Sequence, residues 1–219
     1  MILFSGRIIF PDGIEDIQFD KTNLISISFD NNSRTDNTMP VYSLISNSGQ
    51  LQFIDKNGVI PTYSKRGYLI QKKKVEITIK NTLTGKTENI NCFYSESWKY
   101  DKERQVVQLS LTDSMTELQN VTIPTKYVGL NNIKALAIEL YNIIVGDIAI
   151  DKSKNPYITE YGEFALTENP QVEYILQNTL VAYPRWQANN AWALLVKLCE
   201  LCGLHIYKDF DGKIKAITE

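Results

Sequence analysis

Only one spacing in this chain suggests a reactive centre: Cys199-x-x-Cys202-x-x-His205. Thiolates and imidazoles at such intervals bind zinc, and a Cys-x-x-Cys pair can also cycle between dithiol and disulfide. Tetrahedral zinc needs four ligands, however, and Cys92 is the only soft donor left, since the chain has three Cys and one His. Redox pairs of this kind sit at helix N-termini, where the dipole lowers the thiol pKa. Here the pair closes a helical pattern, where the dipole opposes a thiolate. Unlinked Cys is among the most buried residue types, so core packing is the expected role of Cys199 and Cys202.

No other constellation builds a catalytic site. With His205 the only histidine, a Ser-His-Asp triad or a His-rich metal centre cannot be assembled. Carboxylates are plentiful but scattered, and no serine has the G-x-S-x-G context of an exposed nucleophile. Phosphate-cradling glycine loops are absent, and Thr84-Gly85-Lys86 alone is not one. The expectation is a non-enzymatic protein with no catalytic, cofactor-binding or metal-binding residue and no cofactor. Lys72, Lys73 and Lys74, with Lys65 and Arg66 nearby, make a local basic cluster that reads as a solvated face. Phe93, Tyr94, Trp98 and Tyr100 resemble the base-stacking set of an OB-like fold. Simple alternation puts Tyr94, Trp98 and Tyr100 on one face and Phe93 on the other, and ordinary strand packing explains that equally well. A nucleic-acid-binding β-barrel is the alternative function, weakened by a net charge of -2.

The elements that would position these residues follow from composition and periodicity. At 219 residues, 43% hydrophobic and 22% charged, the chain has an ordinary globular balance and can bury a substantial core, as one large domain or two small ones. Three Cys give no disulfide framework. The opening MILFSGRIIFPDG lacks a signal-peptide pattern, and no run approaches the ~20 apolar residues of a membrane helix, so synthesis and folding in the cytosol are expected.

Residues 1–111 carry β signals. Ile2–Phe10 and Ile14–Phe19 flank the turn triplet Pro11-Asp12-Gly13, and Leu24–Phe29 continues the pattern. Asp30–Pro40 is polar and reads as an exposed, mobile loop. Val41–Ile45 and Leu51–Ile54 are expected strands around a Ser46–Gly49 turn, and Asn57-Gly58 makes the next turn. Lys74–Asn81 alternates cleanly, and Ile90–Tyr100 and Val106–Leu111 should form an antiparallel pair turned at Asp101–Arg104.

The period then changes. Thr112 or Asp113 is the expected cap of a short helix through Leu118, with Glu117 completing a capping box. Asn132 should cap a helix over Ile133–Val145, stopped by Gly146. Residues 147–182 are broken by Pro156, Gly162 and Pro170 and yield no element. Asn189 or Asn190 caps a helix with Trp192, Leu195, Val196, Cys199 and Cys202 on one stripe and Leu194, Leu198 and Leu201 beside it. Gly203 ends that helix, and strands Leu204–Tyr207 and Lys213–Thr218 follow around Asp209–Gly212. The expected class is α+β, mainly β: an antiparallel barrel or sandwich module over residues 1–119, then a mixed α+β module over 120–219 with a terminal helix–hairpin.

Three blocks carry a family resemblance: Tyr42–Gly58 (YSLISNSGQLQFIDKNG), Phe93–Asp113 (FYSESWKYDKERQVVQLSLTD) and Tyr183–Lys213 (YPRWQANNAWALLVKLCELCGLHIYKDFDGK). Together they resemble baseplate or tail-tip hub proteins of tailed bacteriophages and related phage-tail-like machines. The shared features are a strand before "FID", an aromatic "FY…W.YD" hairpin, and a Trp-bearing helix ending "LC" before a "HIYKD.DGKI" hairpin. The resemblance implies a tail-tube-like β-barrel module in a homotrimeric virion structural protein. Such a protein forms a ring that joins the tail tube to the spike or tip and leaves a channel for DNA. Implied partners are other tail and baseplate proteins, and the implied location is the virion tail, assembled in the host bacterial cytoplasm. Hub proteins are usually longer, with further modules after the helix–hairpin block.

Overall fold

The computed structural model describes residues 1–11, 13–32, 45–123, 134–154, 162–182 and 190–218. The chain divides into two units, one of Met1–Asn31, Asn47–Asp113 and Phe210–Gly212, the other of Asn32–Ser46, Ser114–Asp209 and Lys213–Glu219.

In the first unit, apolar–polar alternation produces seven strands: β1 (Ile2–Ile8), β2 (Ile17–Phe19), β3 (Leu24–Asn32), β4 (Ser46–Ile54), β5 (Lys74–Asn81), β6 (Thr87–Asp101) and β7 (Val106–Thr112). They form one sheet in the order β2-β1-β5-β6-β7-β4-β3, with antiparallel ladders from β2 through to β4. Its inner face buries Ile8, Phe19, Leu51, Phe53, Val75, Ile77, Val107 and Leu109.

The two edge strands are neighbours in sequence. Laid flat, seven strands would hold β2 and β3 roughly 29 Å apart, whereas the five steps from Phe19 to Leu24 reach roughly 18 Å at most. The sheet therefore coils back on itself. Asn23 secures the closure: its Nδ2 donates to Gln18 O of β2 (3.1 Å) and to Ile54 O of β4 (3.4 Å), and its Oδ1 accepts from Asp20 N (2.8 Å). Ile54 N in turn donates to Asn23 O at 2.8 Å. No ladder joins β2 to β3 among the described residues, so the sheet is coiled and open rather than a sealed barrel.

Helix α1 (Val59–Lys65) was not legible in the sequence. The Asp55 carboxylate accepts from Val59 N (3.1 Å) and Ile60 N (3.0 Å), and the helix buries Ile60 and Tyr63. The Ser46–Gly49 segment, expected as a turn, is the first half of β4. Gly49 is there for close approach: a Cβ would meet Ser28 O at 2.6 Å. Asp30–Asn32, expected in a loop, continue β3. Residues 33–44, Asn132, Ile133, Pro156 and Asn189, on which other expectations fall, lie outside the described residues.

The second unit contains β8 (Lys134–Leu136), α2 (Ala137–Lys154), α3 (Pro170–Asn178), β9 (Leu180–Ala182), α4 (Ala191–Cys202), β10 (Leu204–Lys208) and β11 (Ile214–Thr218). β8 pairs with β9 and β10 with β11, both antiparallel. Asn190 caps α4 by accepting from Ala193 N (2.8 Å), and Gly203 ends it at φ 65°, a left-handed position that favours glycine. Ala191, Leu194, Leu195, Leu198, Cys199 and Cys202 are buried, while Leu201, expected inside, is exposed.

Three expectations fail here for identifiable reasons. The turn after β7 is a 3-10 helix, Met115–Asn120, whose cap position is a left-handed Ser114 that makes no side-chain capping bond. Asp113 is committed elsewhere, accepting from Asn47 N (2.6 Å) and Nδ2 (3.2 Å). Helix α2 begins at Ala137 and runs past Gly146 to Lys154. A helical glycine costs about 1 kcal/mol, while burying Ile148 beyond it returns about 1.5–3 kcal/mol. In the unread stretch, Pro170 does not break a helix but starts one: Asn169 Oδ1 accepts from Gln171 N (3.1 Å), with proline in the first turn of α3.

Because the Asn23 side chain hydrogen-bonds to both β2 and β4, Asn23→Ala should lower the stability of the first unit by about 1–3 kcal/mol, measured by urea unfolding. Hydrogen bonds from Thr22 hold the Asp20 carboxyl below its ordinary 3.8. Its contribution is complete above that value and disappears as pH falls through the lower folded value. Asp20→Asn should therefore flatten the acid limb of the stability profile without changing its shape above pH ~5.

Candidate assembly surface

The thiols and the histidine do not converge on a site. Cys199 and Cys202 are on the last turn of α4, 0% and 7% exposed, and His205 is in β10, paired with Ile217 of β11. Burial pushes the Cys199 thiol up to about 12 and the Cys202 thiol up to about 11, the latter opposed by a hydrogen bond with the Thr179 side chain. Both are thiols, not thiolates, at neutral pH, which makes them weak nucleophiles. Cys92 belongs to the core of the other unit. Among the described residues no group of three or more His, Cys, Asp and Glu is arranged to hold a metal ion.

The aromatic set is rearranged by a bulge. The β6–β7 register shifts between Ser95 and Ser97, and a one-residue insertion reverses the faces of everything beyond it. Trp98 and Tyr100 consequently pack with buried Phe93 against the first unit's core, and Tyr94 does not belong to that cluster. The expected grouping of Tyr94 with Trp98 and Tyr100 is overturned, and with it a stacking platform built from those rings. The basic cluster is also not uniformly solvated. Lys65 and Arg66 end α1, but Lys73 is buried at 6% exposure with its ammonium 5.7 Å from the centre of the Phe10 ring.

What the first unit does expose is unpaired strand edge with apolar side chains on it. β2 is short because Asp20-Lys-Thr-Asn23 turns the chain away, so it covers only Gly6–Ile8 of β1. Along Ile2–Ser5 the outer edge of β1 has no strand partner among the described residues. An open groove of about 470 Å³ marks the place where β2 stops, lined by Ser5, Gly6, Gln18, Asp20, Asn23 and Thr78 among others. Beside that edge Met1 is 70% exposed, Ile2 58% and Leu83 86%. Thr82 donates to Met1 O through both its backbone N (2.9 Å) and its Oγ1 (2.8 Å), which holds the start of β1 against the tip of the β5–β6 hairpin. At the other end of the sheet, β3 exposes Ile25 and Phe29. Bare backbone donors and acceptors next to apolar side chains are a template for pairing with another strand. The sequence places a strand over Ile14–Phe19, and only its last three residues, Ile17–Phe19, form β2.

No protein-family model matches the chain, and no match is found among curated proteins. Among solved structures, the chain is similar over 98% of its length to the 43 kDa tail protein of prophage MuSo2 from Shewanella oneidensis, at 12% identity and a TM-score of 0.46. It spans 53% of that protein. Another similarity, at 12% identity and a TM-score of 0.27, covers 49% of this chain and 86% of a chain in the anti-feeding prophage baseplate.

Buried, protonated thiols should not react. In native protein at pH 8, Cys92, Cys199 and Cys202 are expected to resist a thiol-specific disulfide reagent, and all three should react at once in denaturant. Rapid labelling of Cys199 or Cys202 in the native state, read by mass spectrometry, would reinstate a redox or metal role.

Proposed function

We propose that this chain is a non-enzymatic structural protein of a phage tail or phage-tail-like machine, acting as a baseplate or tail-tip hub component. In this reading, copies assemble, as a homotrimer, into a ring joining the tail tube to the spike or tip, within the virion tail. The observation that carries the reading is the edge of β1 at Ile2–Ser5, which no described strand covers, with Met1, Ile2 and Leu83 exposed. Monomeric proteins blunt such edges with charge, proline or a covering segment, and here apolar side chains stand in that place. The three sequence blocks support the same reading. Tyr42–Gly58 overlaps β4, Phe93–Asp113 covers the β6–β7 hairpin, and Tyr183–Lys213 contains α4 and β10. Two of them thus supply adjoining strands of the coiled sheet, β6, β7 and β4.

Self-association is the direct test. Purified protein at high concentration, alone and mixed with tail-tube and spike partners from neighbouring reading frames, should give trimers or rings by light scattering and negative-stain electron microscopy. Ile2→Lys places a charge on the open edge and should abolish assembly while leaving thermal unfolding of the isolated chain unchanged. Persistent monomers under every condition would count decisively against the ring.

A further inference from the structure

Among the described residues two lysines are buried, Lys73 and Lys208. Lysine is almost never fully buried unless paired, yet Lys73 is 6% exposed and makes no ion pair among the described residues. Elsewhere Arg7, Lys86, Lys197, Lys213 and Lys215 each hold a carboxylate at 2.8 Å or closer. Local packing fixes where Lys73 lies. Its backbone N donates to Ser95 Oγ (2.7 Å), and Ser95 N donates back to Lys73 O (2.8 Å), so the residue is clamped to β6 at the bulge. Its ammonium faces Phe10, whose ring meets Tyr63 edge-on at 5.0 Å, and Tyr63 meets Tyr68 in the same way at 5.7 Å. An aromatic face returns about 0.5–2 kcal/mol to a cation, less than the several kcal/mol of desolvation that a buried ion carries. Burial accordingly lowers the pKa of the Lys73 ammonium, with no neighbouring charge opposing the shift.

We infer that Lys73 is an anchor for a carboxylate supplied by another protein, a counter-charge that none of the described residues provides. The surroundings state the chemistry of the partner. Among the described residues Lys65, Arg66 and Lys74 have no ion pair, and Ile70, in the turn between Arg66 and Lys73, is 86% exposed. A segment that carries one inserted carboxylate, further acidic residues and an apolar side chain for Ile70 matches that set. Nucleic acid fits less well. Its affinity comes from many exposed cations along a backbone, whereas here one mostly buried lysine faces an aromatic ring. This inference stands apart from the hub reading and survives its failure.

The test uses the full chain and two peptides, acetyl-Glu-Ile-Glu-amide and acetyl-Gln-Ile-Gln-amide, followed through the Cε and Nζ signals of isotope-labelled lysine. The acidic peptide should shift the Lys73 signals and raise the pKa at which they titrate. The glutamine peptide should bind at least tenfold more weakly. Lys73→Met should lose the acidic peptide by a similar factor while unfolding at no lower temperature than the parent, since it removes an unpaired buried charge. Equal binding of both peptides, or undiminished binding by Lys73→Met, would overturn the inference. So would a Lys73-dependent response to single-stranded DNA without one to the acidic peptide.

Discussion

A four-residue turn governs the first unit. Asp20–Asn23 connects strands that lie at opposite ends of a seven-stranded sheet, so the sheet has to bend until its edges approach. The apolar residues of the inner face then enclose one another, with the Phe19 and Phe53 rings stacked at 6.2 Å. That closure also limits β2 to three residues, because the turn must begin where the edges meet. The bare stretch of β1 is therefore a geometric consequence of how the sheet bends. A longer β2 would cover the edge and leave too little chain to reach β3.

The bulge in β6 has a comparable reach. β6 is the longest strand, pairing with both β5 and β7, and a strongly coiled sheet needs such a site to turn a long strand. Its register shift sends Trp98 and Tyr100 to the core and leaves Glu96 and Ser97 outside. Ser95, at the shift, is buried and clamps Lys73 through paired hydrogen bonds. Sheet curvature, the facing of the aromatic residues and the burial of one lysine thus have a common origin.

The second unit is organised by α4. The helix is apolar on most sides because it is covered on most sides, and its neighbours include α2, the 3-10 turn Met115–Asn120 and β10. The backbone at its start is tied to the preceding chain, with Ala191 N donating to Val121 O at 3.0 Å. Cysteine suits such a place as a small apolar side chain. The desolvation that makes Cys199 and Cys202 good packing residues is the same effect that makes them weak nucleophiles.

Local chemistry in the sequence alone determined the elements whose signals are short-range. Lys74–Asn81 alternates and is β5 to the residue; Asn190 and Gly203 bound α4 because capping involves only three or four neighbouring positions. The mainly-β, α+β class and the core role of Cys199 and Cys202 followed from the same kind of signal. Tertiary structure decided what depends on distant partners. Gly49 resembles a turn residue until Ser28 lies against it, Gly146 resembles a helix stop until Ile148 is buried, and Asp113 resembles a cap until Asn47 takes its carboxylate. The open edge of β1 and the burial of Lys73 belong to this second group. Both arise because the sheet coils, and coiling is a property of seven strands together that no window of sequence contains.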